Sequence, residues 1–165
     1  MDRLDYIERE AQANMEFHLE NLDSLKSEAQ ATLNFLLLIL SGAFGYTIKL
    51  LGDDKLAWAF VMGCVTSYLS CVAGYLTLYC LATGVVMPPT NEPRNLSSND
   101  CSLEELRELE LKNLQKRIVF NRKRNTKIGR RLNKARLLVC ASPVVFLLAW
   151  FLLFAIGHSL GWQTF

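Results

Sequence analysis

Gly63, Ser67, Ser70, Gly74 and Thr77 recur at steps of four, three, four and three residues. On a helix that spacing gathers them into one narrow stripe with a 3.5-residue repeat. Small side chains let helix backbones approach and let Ser or Thr hydroxyls bond across, so the stripe reads as a helix-packing seam. The same residue types, ringed about an axis by several copies of the chain, would turn hydroxyls and glycine backbone toward a water-filled pore, where they could stand in for water around an ion. In an oligomer the two readings are compatible, a seam when closed and a lining when open.

The second chemically loaded stretch is basic. From Lys112 to Arg136 there are eleven Lys or Arg residues and no acidic one. Lys116, Arg117, Arg122, Lys123, Arg124, Lys127, Arg130 and Arg131 are its candidates for holding an anion, either a lipid headgroup or a phosphate-bearing nucleotide or oligonucleotide. Three ordinary roles compete with ligand binding: fixing membrane orientation, attraction to anionic lipid, and pairing with the acidic N-terminal segment. Phe120 is the one aromatic residue within the run, which argues against a base-stacking single-strand binder.

Catalysis has no foothold in the sequence. His18 and His158 are the only histidines, and no acidic residue follows Glu110. Glycine-rich phosphate loops, a nucleophile elbow and paired Cys/His ligand sets are all missing from the sequence. The expectation is a non-enzyme with no metal and no cofactor. Cys64, Cys71, Cys80 and Cys140 sit inside apolar stretches and Cys101 in a loop, a distribution suited to small buried hydrophobes.

Three apolar stretches must position these features. Leu33–Leu51 carries one charge, Lys49, near its far end, where a long side chain can snorkel. Leu56–Met87 has no ionisable Asp, Glu, Lys, Arg or His, and as one helix it would be roughly 45 Å long, more than a hydrocarbon core. Leu137–Leu160 is interrupted by Pro143 and His158 and is followed by Trp162 and Phe165. The spacing predicts three transmembrane helices, the second ending at the prolines that follow Met87.

Residues 1–29 hold three basic and eight acidic residues and place Leu4, Ile7, Ala11, Met15, Leu22 and Ala29 on one helical face. Such an acidic amphipathic helix suits a protein neighbour better than anionic lipid. It also lacks the basic n-region of a secretory signal, so no cleavage is expected. Ser102-Leu103-Glu104-Glu105 is a capping box that should start a helix running through the basic stretch into the third span, with Pro143 as a kink. Asn34, Ser41 and Gly45 give the first span a weaker polar face.

The expected architecture is all-α, with segments 1–30 (acidic amphipathic helix), 31–87 (two-span hairpin), 88–136 (linker and basic helix) and 137–165 (third span and short tail). Residues 88–136 hold thirteen of the eighteen basic residues. The positive-inside rule therefore puts them and the N-terminus in the cytoplasm, and the C-terminus outside. The sequon Asn95-Leu96-Ser97 would then stay unmodified.

An acidic N-terminal helix, a tight two-span hairpin and a basic cytoplasmic helix resemble the small membrane effectors of bacterial antiviral operons, the SLATT-type proteins and the Hailong-type channel effector. The resemblance is one of layout, to which this chain adds a third span. It implies a homo-oligomeric inner-membrane pore, controlled by a nucleotide or oligonucleotide signal or by a cytoplasmic protein partner, that arrests an infected cell. A non-conducting adaptor for a cytoplasmic sensor or enzyme, and a holin-like membrane-disrupting protein, are the alternatives.

Overall fold

The computed structural model describes residues 3–82, 84–90 and 102–159, and of His158 and Ser159 the backbone alone. The sequon at Asn95, Cys101 and the aromatic tail with Trp162 and Phe165 lie outside the described residues. Within them the chain is helical and contains no strand. The elements are α1 (Arg3–Gly52), α2 (Leu56–Leu76) continued by a π-helical turn (Thr77–Leu81), α3 (Leu103–Cys140) and α4 (Ser142–Ser159).

Two helices, Arg3–Gly52 and Leu56–Leu81, are long and apolar enough to cross a membrane. A third candidate span appears when Leu103–Cys140 and Ser142–Gly157, bent by 42°, are counted together. Phe35, Leu38, Phe44, Leu78, Leu148 and Phe151 all point outward, 58–70% exposed. Apolar surface on that scale is what a bilayer or a neighbouring subunit covers.

The amphipathic N-terminal stretch and the first apolar stretch are one 50-residue helix, because no Gly or Pro occurs before Gly42 to interrupt it. It closes in a tight turn whose Asp54 adopts a left-handed φ of 55°, a conformation Asp tolerates better than most residues. The second span stops at Leu81 rather than at Met87. Ala82 is already extended at φ −53° and ψ 131°, and Pro88 disfavours the helical region for Met87. The Leu56–Leu81 helix spans about 39 Å, closer to the bilayer core than the length expected from Leu56–Met87.

Nor does α3 run straight into the last apolar segment. The break falls at Ala141, and Pro143 occupies the second position of α4, where its missing N–H costs nothing. Ala141 N–H donates to Leu137 O and Leu138 O at 3.0 and 3.1 Å, and Ala141 O accepts from Val144 N at 3.0 Å. The expected proline kink is therefore a helix break two residues upstream of the ring. At the other end of α3 the capping box forms as read: Glu105 N–H donates to Ser102 Oγ at 3.3 Å and Ser102 N–H to Glu105 Oε2 at 2.9 Å.

The chain divides into two compact units, Met1–Ser27 with Thr83–Arg130, and Glu28–Ala82 with Arg131–Phe165. In the first unit α1 and α3 run parallel. Glu8 meets Arg107, Met15 packs with Leu114 and Ile118, and His18 O accepts from Asn125 Nδ2. Besides Arg117, the buried positions of α3 here are Leu114, Ile118, Asn121, Asn125 and Ile128, at alternating steps of four and three, the repeat of a left-handed helix pair. Met15, His18 and Leu22 answer on α1, while Ile7, expected on that face, is 37% exposed.

In the second unit α2 packs on α4 and buries Ala59, Val61, Leu69, Val72, Ala73 and Leu76. Tyr68 donates its hydroxyl to Leu138 O at 2.9 Å. Asn34 has a partner in the amide of Gln30 one turn earlier, 2.9 Å away.

Candidate anion-binding face and small-residue stripe

The basic helix sorts its cations by position. Taking 100° per residue, Lys112, Lys116, Lys123, Lys127 and Arg130 fall within about 60° of arc over roughly 27 Å of helix, opposite the buried face. All five are exposed, and among the described residues none has a hydrogen-bond or ion-pair partner. Four of the eight sequence candidates, Lys116, Lys123, Lys127 and Arg130, belong to this stripe.

Arg117 and Arg124 do something else. Residues 84–90 lie extended along α3. Arg117 Nη1 donates to Pro89 O at 3.1 Å, Asn121 Nδ2 to Met87 O at 3.2 Å and Arg124 Nη1 to Val85 O at 3.0 Å. Alternate carbonyls of an extended strand point the same way, and steps of three and four on a helix lie on one face, so the two periods mesh. Asn121 Oδ1 also accepts from Met87 N at 3.4 Å. Arg117 is buried and adds an ion pair with Glu110 at 3.1 Å. Gly84 lies where an added Cβ would meet the Arg124 guanidinium at 3.2 Å.

Arg131, in the second unit, donates from Nη1 to Tyr79 O at 3.3 Å and stacks over the Tyr79 ring at 5.0 Å, a cation–π contact at the π-helical turn. Arg136 pairs with Glu28 at 2.8 Å. These arginines are structural ties, and a ligand at Arg117, Arg124 or Arg131 would compete with backbone carbonyls. Arg122 is exposed and lies beside neither the stripe nor the carbonyl ladder; it lines a cleft with His18 and Asn125.

Electrostatics at the start of the helix pair are explicit. Arg107 forks onto Glu8, Nε to Oε1 and Nη2 to Oε2 both at 2.9 Å, and reaches Asp5 Oδ1 at 2.6 Å. The Arg107 hydrogen bond holds the Glu8 carboxyl below its ordinary value of 4.5 against a smaller opposing effect of burial. Glu105 is lowered as well, first by the Ser102 backbone N–H and then by its hydroxyl.

The small-residue stripe faces away from the contacts α2 makes in its own chain. Ser67, Ser70, Gly74 and Thr77 are exposed and Gly63 is half-buried. A Cβ at Gly63 or Gly74 would meet nothing within 4 Å. Ser70 and Thr77 donate to carbonyls one turn earlier, Thr66 O at 2.9 Å and Ala73 O at 3.0 Å, which leaves their oxygen lone pairs outward. Thr77 opens the π-helical turn, a local widening frequent at functional sites.

What sequence reasoning missed is the polar layer inside the first unit. Asn121 and Asn125 are 1% and 5% exposed and His18 is 9% exposed. The signal was available: the two asparagines stand four apart at positions where the surrounding repeat is Leu114, Ile118, Ile128 and Leu132. The neighbouring charges drew attention from it. Among the described residues no group of three or more His, Cys, Asp or Glu could hold a metal ion. Compared with protein-family models, with curated proteins and with solved structures, the chain finds no match.

Proposed function

We propose that this chain is the subunit of an oligomeric inner-membrane channel or pore-forming effector of bacterial antiviral defence, gated from the cytoplasm through residues 1–30 and 88–136. The observation that carries the reading is the exposed stripe Gly63, Ser67, Ser70, Gly74 and Thr77, which the single chain leaves uncovered on an otherwise apolar span. Copies arranged with α2 toward a common axis would pack closely along the glycines when closed. Rotated slightly, they would present outward-facing hydroxyl lone pairs to a water column. The stripe from Lys112 to Arg130, without partners among the described residues, supports control by a phosphate-bearing signal, since five cations on one face match a polyanion better than any one carboxylate.

Potassium efflux from vesicles tests it. The wild-type protein, with nucleotides or short oligonucleotides supplied on the side of the basic stripe, is expected to conduct; Ser70→Leu and Gly74→Leu are expected to insert and assemble but not conduct. Unchanged flux in both variants, or a monomer by crosslinking, would defeat the proposal. A non-conducting adaptor is the second reading, favoured by the same exposed basic stripe as a docking surface. Co-purification of an acidic partner without efflux would select it.

A further inference from the structure

In the first unit the outward face of α1 is acidic where that of α3 is basic. Asp5 and Glu8 are taken up by Arg107, but Glu16, Glu20 and Asp23 are exposed and have no hydrogen-bond or ion-pair partner among the described residues. At 100° per residue these three fall within about 60° of arc over roughly 10 Å of helix. No Lys or Arg lies between Arg9 and Lys26 on α1, and no Asp or Glu follows Glu110 on α3, so neither stripe has a counter-charge beside it on its own helix. The other helix of the pair does not supply one either. The side of α1 that Met15, His18 and Leu22 bury is centred more than a right angle from these acids, and Lys112, Lys116, Lys123, Lys127 and Arg130 lie opposite the buried face of α3. Yet the two stripes share one stretch of the pair's length. Met15 lies beside Leu114 and Ile118, and His18 beside Asn125, which sets Glu16 to Asp23 level with the span from Lys116 to Arg130.

We infer that the acidic face of α1 in one copy of this chain docks on the basic stripe of α3 in a second copy. The inference rests on the oligomeric part of the proposed function and not on conduction. Copies placed side by side about a common axis keep equivalent residues at one height, so Glu16, Glu20 and Asp23 of one copy meet Lys116, Lys123 and Lys127 of the next with no shift in register. The two stripes diverge by more than a right angle, which prevents a two-fold pair from using both at once. The contact is therefore head-to-tail, the kind that closes as a ring. Lys112 with Lys116 and Lys123 with Lys127 are like charges four residues apart, which repel on an isolated helix and are relieved by carboxylates across the contact. Exposed ion pairs add little affinity each. Their part is to choose the neighbour and its register, and they weaken as salt rises.

Two differently tagged full-length chains, coexpressed, isolate the contact. One keeps its α1 carboxylates and carries Lys116→Arg, Lys123→Arg and Lys127→Arg, which retain the charge but give a carbodiimide no amine to couple. The other keeps its lysines and carries Glu16→Gln, Glu20→Gln and Asp23→Asn. In phosphatidylcholine vesicles a zero-length carbodiimide is expected to join residues 16–23 of the first chain to residues 116–127 of the second, bonds that can run only between copies. Raising salt from about 0.05 to 0.5 M should cut their yield at least about threefold. In otherwise wild-type chains, Glu20→Lys with Asp23→Lys should lower the yield of coupled dimers about tenfold, and adding Lys123→Glu with Lys127→Glu should restore it. All four positions are exposed, and the restoration is the decisive arm because the first pair of changes also removes reactive carboxylates. Assembled chains without acid–lysine bonds between copies, a yield indifferent to salt, or a charge swap that fails to restore coupling overturns the inference and leaves the oligomeric reading standing. A monomer by native mass spectrometry overturns both. Lysines shielded from acetylation by phosphatidylglycerol or by a short oligonucleotide, with no bonds between copies in its absence, assign the stripe to that anion and overturn the docking.

Discussion

The extended segment of residues 84–90 is held to α3 by Arg117, Asn121 and Arg124, and replacing the middle residue tests whether this ladder is a cooperative clamp. Asn121 is 1% exposed and exchanges two bonds with Met87, its amide donating at 3.2 Å and its oxygen accepting at 3.4 Å. A neutral hydrogen bond contributes about 1 kcal/mol net, and the longer of these two less, so Asn121→Ala should remove about 1.5–2 kcal/mol of local stability. Local opening of the segment then rises about tenfold to thirtyfold. Hydrogen exchange at the Met87 amide reads this directly. That amide should exchange faster by the same factor, with the Ile118 amide, inside α3, as the control for global loosening. Asn121→Asp keeps the acceptor and loses the donor, so it should fall between the two. If Met87 exchanges at the wild-type rate in Asn121→Ala while Ile118 is also unchanged, the ladder contributes nothing and the segment is held by other contacts.

Four further outcomes follow from the same geometry. Met15→Ala, at a fully buried position against Leu114 and Ile118, should cost about 2–5 kcal/mol in the first unit and lower its melting midpoint. The Glu8 carboxyl, lowered by Arg107, contributes stability that is present above its ordinary value of 4.5 and is lost as pH falls through its depressed folded value. Arg107→Gln should therefore flatten the acid limb of a melting-versus-pH curve, and an unchanged limb would count against the fork. Lys116→Gln, Lys123→Gln and Lys127→Gln together should weaken binding of a single-stranded oligonucleotide and reduce the salt slope by about 2, with Arg117, Arg124 and folding untouched. Gly63→Leu should leave the helicity of the isolated subunit unchanged, since nothing lies within 4 Å of its Cβ position, while altering the subunit count seen by crosslinking.

Helix content, the apolar segments and the capping box at Ser102 were legible because each is a local property: period, length and a four-residue motif decide them. The outward stripe of Lys116, Lys123, Lys127 and Arg130 was legible only in part, because the sequence shows eleven cations and does not say which have partners. Sorting them needed the extended carbonyls of Val85, Met87 and Pro89, which reach α3 across 28 to 39 residues of sequence. The end of the second apolar helix at Leu81, after the π-helical turn, was misplaced because an apolar run to Met87 has no composition signal at Ala82, where the backbone turns extended.

By itself the sequence determined that this protein is helical, that it carries segments apolar enough to cross a bilayer, three by the sequence and two to three in the structure, and that its cations are concentrated in one helix. These follow from side-chain periodicity and transfer free energy, which act residue by residue. The tertiary structure alone decided which arginines hold backbone and which lysines have no partner among the described residues, that the small residues of α2 face away from α4, and that His18 and Asn125 share a cleft with Arg122. Those facts depend on which faces meet when α1 lies parallel to α3. A parallel helix pair brings residues more than a hundred positions apart into contact, a relation that no local window of sequence contains.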